Sequence, residues 1–79
     1  MTAPDEDYIA LGRALAALRR KAELTQAEAG ERAQIRNTHV SAVERGERGL
    51  SYKTMLALLR GYGVGLRELV EMIERGEVQ

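Results

Sequence analysis

Apolar residues recur along this chain at intervals of three and four, with polar residues filling the gaps. Leu11, Leu15, Leu18 and Ala22 form the first such stripe and predict a helix from about Asp7 to Lys21. In the second, Thr25 is placed to cap a helix starting at Gln26, and Glu28, three residues on, completes a capping box. Ala29 and Ala33 lie one turn apart on one face of it, and Gly30 keeps that surface small enough for another helix to approach. After a break at Gln34, the residues Ile35, Val40 and Val43 turn inward, which leaves Arg36, Asn37, Thr38, Ser41 and Ala42 on a short polar outer face. Gly46 can take the left-handed conformation that closes this third helix. Ser51 caps a fourth, in which Tyr52, Met55, Leu59 and Tyr62 share a face flanked by Leu56 and Leu58. The stretch GYGVG at 61–65 interrupts the pattern, and a fifth helix runs from about Leu66 to Arg75 with Leu66, Leu69, Val70 and Ile73 at helical spacing and Gly76 at its end. With no repeat and no low-complexity segment, the pattern predicts an all-α, compact five-helix bundle. Its domain spans 8–76, between a short acidic tail at 1–7 and a tail at 77–79.

Composition narrows the chemistry. Seventy-nine residues suit one small domain whose single core is marginal unless oligomerisation adds buried area. There is no cysteine and only one histidine, so neither a disulfide nor a zinc site is expected, and no cofactor is implied. The scattered carboxylates form no acid–base or nucleophile constellation, which argues against an enzyme. No apolar run approaches the roughly 20 residues of a membrane span. Nor does the acidic start have the basic-then-apolar layout of a signal peptide, so a cytoplasmic chain is expected, without a membrane partner. The formal net charge is zero, yet residues 13–60 hold ten Lys or Arg against five acids, and the two ends carry the compensating negative charge. A dipolar molecule follows, positive around its second and third helices.

Two short helices about a tight break, the second closed by glycine, read as a helix-turn-helix. Residues 8–70 resemble the Cro/C1-type, or xenobiotic-response-element, family of phage repressors and bacterial transcription regulators. The resemblance is carried by LGRALAALR at 11–19, LTQAEAGERA at 24–33, VSAVERGER at 40–48 and YGVGLRELV at 62–70. The chain departs from the family at two turns, with Gln34 and Glu23 where glycine is usual. A non-glycine residue at positive φ costs about 1 to 2 kcal/mol, which a packed bundle can absorb.

The resemblance implies a phage-repressor-type bundle and double-stranded DNA as partner, with the third helix in the major groove. In that docking geometry the residues at its start and outer face reach base edges, here Arg36, Asn37, Thr38, Ser41 and Ala42. Arg36 can pair with guanine O6 and N7 or settle on phosphate, and Asn37 can pair with adenine N6 and N7. Ala42 or the Thr38 methyl can touch a thymine methyl. The bland alternative for Asn37 and Thr38 is to cap the helix. Phosphate contacts are expected from Gln26 at the start of the second helix, from Arg45, Arg48 and Lys53 around the following loop, and from His39 on the flank. The family also pairs an arginine and a glutamate at the positions of Arg19 and Glu44, a structural ion pair. Positions matching Leu50, Leu56, Leu66, Val70 and Ile73 lie near the phage repressors' dimer contact, with Arg67 as a rim charge. The expected function is a nucleoid-associated transcriptional regulator, most often a repressor, binding a two-fold operator as a homodimer. The competing reading is an antitoxin or protein-interaction module of the same fold, with RNA polymerase or a toxin as the protein partner.

Overall fold

A computed structural model describes residues 5–76 as five helices: α1 Glu6–Lys21, α2 Gln26–Ala33, α3 Asn37–Glu44, α4 Tyr52–Tyr62 and α5 Leu66–Arg75. No strand occurs among the described residues. Pro4 and the tail at 77–79 lie outside them. The expected acidic tail is shorter than the sequence suggested, because Asp5 caps α1 by accepting from the amides of Asp7 (2.9 Å) and Tyr8 (3.3 Å). Glu6 and Asp7 then occupy the first turn, where the helix dipole favours them.

The core gathers one stripe from each helix: Ala14, Leu15 and Leu18 of α1, Ala29 of α2, Val40 and Val43 of α3, Leu58, Leu59 and Tyr62 of α4, and Leu69 of α5. Helix α2 packs against both α3 and α4, and α1 runs across α3 and α5. Two periodicity-based expectations give way here. Tyr52 is 62% exposed, because Ser51, Tyr52 and Lys53 at the start of α4 all stand clear of the bundle. Leu58, expected beside the apolar face, is a core residue at 2% exposure.

Chain reversals decide how α2 and α3 sit. Both positions where the family uses glycine are left-handed here, Glu23 and Gln34 each at φ +60°. After α2, the Gln34 amide donates to the Glu31 carbonyl at 3.3 Å and the Ile35 amide to Gly30 at 2.9 Å, so the hydrogen-bonded turn forms despite the side chain. Gly30 serves this turn more than any helix contact: a Cβ there would lie 2.7 Å from the Ile35 carbonyl oxygen and 3.3 Å from the Asn37 amide nitrogen. Gly12 plays the corresponding part in α1, where a Cβ would fall 2.8 Å from the Glu44 carbonyl oxygen and closer still to that of Val43. Backbone thus meets backbone at both ends of α3, and its direction is set by glycines on its neighbours.

Among the described residues, one buried side-chain polar group is left without a partner. The Tyr62 hydroxyl has no hydrogen bond among the described residues. Burial first, and then the nearby Glu44 carboxylate, push its pKa up to about 12. A folded-state pKa raised above the ordinary 10 means stability fully present below pH 10 and lost as pH rises toward 12. Tyr62→Phe removes that loss. Relative to wild type its unfolding free energy is expected to gain about 2 to 3 kcal/mol between pH 10 and 12, from roughly 1.4 kcal/mol per pKa unit. Urea denaturation across that range measures it, and a constant difference between the two proteins would refute the burial argument.

Candidate nucleic-acid interface

The capping box at the start of α2 forms as its sequence requires: Thr25 Oγ1 accepts from the Glu28 amide at 3.0 Å, and Glu28 Oε1 accepts from the Thr25 amide at 2.9 Å. The Thr25 amide first, and then the Thr25 hydroxyl, hold the Glu28 carboxyl below its usual pKa. The next residue after the cap, Gln26, is half-buried, and its Nε2 donates to Glu44 Oε1 at 2.9 Å. Glu44 also accepts from Arg19, at 2.7 Å from Nε and 3.0 Å from Nη2, while Arg19 Nη1 donates to the Leu24 carbonyl at 2.8 Å. The expected Arg19–Glu44 pair is therefore present, and it is largely shielded, with side chains 13% and 7% exposed. The hydrogen bond to Glu44 raises the Arg19 pKa above its ordinary value. This cluster joins the end of α1, the start of α2 and the end of α3, and so sets the two short helices against each other.

Helix α3 begins at an exposed edge. Arg36 is its N-cap residue and makes no side-chain cap bond. Neither Asn37 nor Thr38 caps the helix, and all three side chains are exposed without a hydrogen bond to any described residue. Three of the five expected base-reading residues thus stand together, unoccupied, at one helix end. Ala42 does not join them. It is only 9% exposed, because its single methyl stands back from a surface that longer neighbours define. Ser41 is half-buried and accepts from Arg45 Nη1.

The residues expected on phosphate divide. Arg48 and Lys53 are exposed and unpaired among the described residues. His39 is half-buried, and its Nε2 lies 3.5 Å from the Gly49 carbonyl oxygen, against the loop that carries Arg48. Arg45 is engaged by Glu47, at 2.8 Å from Nε and 3.1 Å from Nη2, and by Ser41. That pairing raises the Arg45 pKa and lowers that of Glu47.

The structure also brings forward two cations that the sequence left unassigned. Arg13 and Arg20 are exposed on α1, and with Arg19, Gln26 and Arg45 they line a groove of about 230 Å³ beside the α2 start. Seven residues apart, they lie on one face of the helix about 10.5 Å from each other. That spacing was readable, but only the fold shows that the face borders α2. Neither makes an ion pair among the described residues, whereas Arg19 and Arg45 do, with Glu44 and Glu47.

The apolar edge is the remaining feature. Leu66 is 36% and Val70 43% exposed, one turn apart on α5, with Arg67 exposed between them and Ile73 half-buried one turn further on. Leu50 and Leu56 are half-buried, and Leu50 packs against the core. No group of acidic and imidazole side chains fit to hold a metal occurs among the described residues, and none of their helices is long and apolar enough to cross a membrane.

Residues 10–72 match a family model described as a helix-turn-helix domain. No curated protein matches the chain. Among solved structures, the clp gene regulator ClgR from Corynebacterium glutamicum superposes with a TM-score of 0.84 at 22% identity, over 87% of this chain and 73% of that one. The restriction-modification controller protein C.AhdI from Aeromonas hydrophila gives 0.78 at 29% identity, over 82% of this chain and 98% of that one. The controller protein C.Esp1396I gives 0.79 at 20% identity, over 86% and 90%.

Proposed function

The chain belongs to the helix-turn-helix domain family, in its Cro/C1 type, and from that membership we propose a sequence-specific repressor that binds a two-fold DNA operator as a homodimer. Membership makes it a DNA-binding transcription regulator rather than an enzyme. The observation that carries the finer reading is the unoccupied set Arg36, Asn37 and Thr38 at the exposed start of α3, where side chains enter the major groove in this docking geometry. Arg36 and Asn37 have the donor pairs that match guanine and adenine edges, and Thr38 offers a methyl and a hydroxyl. Gln26, Arg48, Lys53 and His39 supply the DNA-backbone contacts in this reading, joined by Arg13 and Arg20 on α1. A small regulator of this kind represses by covering a promoter, which takes no surface beyond the DNA face, and it acts in the nucleoid of a cytoplasm.

Selection of bound sites from random duplex DNA at one stated salt concentration tests this reading. Arg36→Ala and Asn37→Ala are each expected to lose about 1 to 3 kcal/mol of discrimination at one base pair per half-site. Arg48→Ala should instead weaken all sequences alike. Enrichment of no sequence by the wild-type chain would remove the regulator reading in favour of a protein-binding module.

The dimer reading rests on α5. Leu66 and Val70 expose apolar surface that this small core leaves uncovered, and a two-fold contact there would place both copies of α3 on one side of the pair. Half-sites about 34 Å apart, one DNA turn, would then be engaged together. Val70→Asp is expected to halve the mass in analytical ultracentrifugation and to weaken operator binding while helical circular dichroism is retained. A wild-type chain that sediments as a monomer at high concentration and fills a lone half-site would overturn the dimer.

A further inference from the structure

We propose that Glu47 and Arg45 form a relay that sets the hydrogen-bonding polarity of Ser41 on the DNA side of α3, which makes Arg45 a positioning residue for base choice. The proposal rests on the DNA-reading function above. Arg45 is the first residue past α3, and every nitrogen of its guanidinium is engaged: Nε and Nη2 donate to the two carboxylate oxygens of Glu47 at 2.8 and 3.1 Å, and Nη1 donates to Ser41 Oγ. Both charged side chains are more than half exposed, so such a pair contributes little to stability. Its geometry has a consequence for Ser41 instead.

A serine hydroxyl has one proton and two lone pairs. Here the guanidinium occupies a lone pair and brings a positive charge against the oxygen, which discourages a second donor from approaching. The hydroxyl proton has no acceptor among the described residues and remains available to donate. Ser41 therefore offers a donor to the groove. It favours base edges that present an acceptor, such as guanine O6 or N7, adenine N7 or thymine O4, and disfavours the amino groups of adenine and cytosine.

Glu47 is what keeps Arg45 in this post. A solvent-facing arginine beside DNA is drawn to the nearest phosphate, a contact blind to sequence. The Glu47 carboxylate takes both nitrogens of the fork that phosphate would use, and its own charge repels the DNA backbone. Non-specific affinity is lowered while base preference at Ser41 is raised.

The test compares binding of Ser41→Ala, Arg45→Lys, Glu47→Ala and the double variant Ser41→Ala/Arg45→Lys to the selected site, to its single base-pair variants and to random duplex, at one salt concentration. The pair read by Ser41 is the one at which Ser41→Ala loses preference. Arg45→Lys keeps the charge but not the fork, and is expected to lose roughly tenfold in preference at that same pair, the worth of one good base contact. Glu47→Ala should bind random DNA more tightly while losing that preference. The double variant should discriminate no worse than Ser41→Ala alone, as coupled neighbours do. Wild-type preference in Arg45→Lys, or an equal gain for specific and random DNA in Glu47→Ala, would overturn the relay and leave Arg45 a plain phosphate contact. Failure of the wild-type chain to enrich any sequence is a separate result, which overturns the regulator reading and the relay with it.

Discussion

Glu44→Ala is expected to lower the unfolding free energy by about 3 kcal/mol, in the range found when one partner of a shielded ion pair is removed. Against the roughly 5 to 15 kcal/mol that holds a typical domain folded, that is a large share for a chain of this size. The loss comes chiefly from what Glu44 leaves behind. Arg19, 13% exposed, would keep its bond to the Leu24 carbonyl but lose the two to the carboxylate, and Gln26 would lose its acceptor. The surviving bond keeps the cost toward the lower part of the range. Replacing both partners, Arg19→Met with Glu44→Leu, removes the uncompensated charge and should recover most of the loss. Urea denaturation of the three variants measures it. A Glu44→Ala variant within 1 kcal/mol of wild type would show that water reaches Arg19 freely.

The features legible in the sequence were the ones whose causes are local. The Thr25–Glu28 capping box lies within four residues, so its two bonds could be read from spacing alone. The close of α3 at Gly46 is equally local, with φ +77° and the Glu47 amide donating to the Ala42 carbonyl. The Arg19–Glu44 pair spans 25 residues, and no periodicity announces it; family resemblance supplied it. Ala42 was misplaced because two turns of helix contain too few apolar residues to define an inward direction, and because a methyl is buried by its neighbours' length rather than by its own angle. Tyr52 failed for the opposite reason, a correct angle at a helix end with nothing above it. The Arg45 contacts are local too, to Ser41 four residues back and Glu47 two residues on, but the cationic charge alone points to phosphate and does not say that an exposed guanidinium is held by these neighbours. In the sequence Arg13 and Arg20 register only as positive charge, since their place beside Gln26 depends on how α1 crosses the motif.

Operator affinity is expected to fall about ten-thousandfold between 50 and 200 mM salt, although the chain's formal net charge is zero. The reason is locality. At 0.1 M salt, charges separated by more than about 10 Å are largely screened from each other. The molecule extends 33 by 26 by 21 Å, up to about three screening lengths, so charges at its opposite ends do not cancel each other. Apart from Arg36, assigned above to a base edge, the exposed and unpaired cations proposed for the DNA face are Arg13, Arg20, Arg48 and Lys53, while Arg19 and Arg45 are neutralised by Glu44 and Glu47. Four such cations per protomer make about eight in a dimer, and at about −0.9 per neutralised phosphate the slope of log K against log salt is about −7. Arg48→Ala removes one from each protomer and should bring the slope to about −5, with the same change for Arg13→Ala or Arg20→Ala. Fluorescence anisotropy over a salt series reads each slope. Slopes for Arg13→Ala and Arg20→Ala equal to wild type would take the α1 groove out of the DNA face, and a wild-type slope near zero would mean that the positive face of this molecule meets something other than a phosphate backbone.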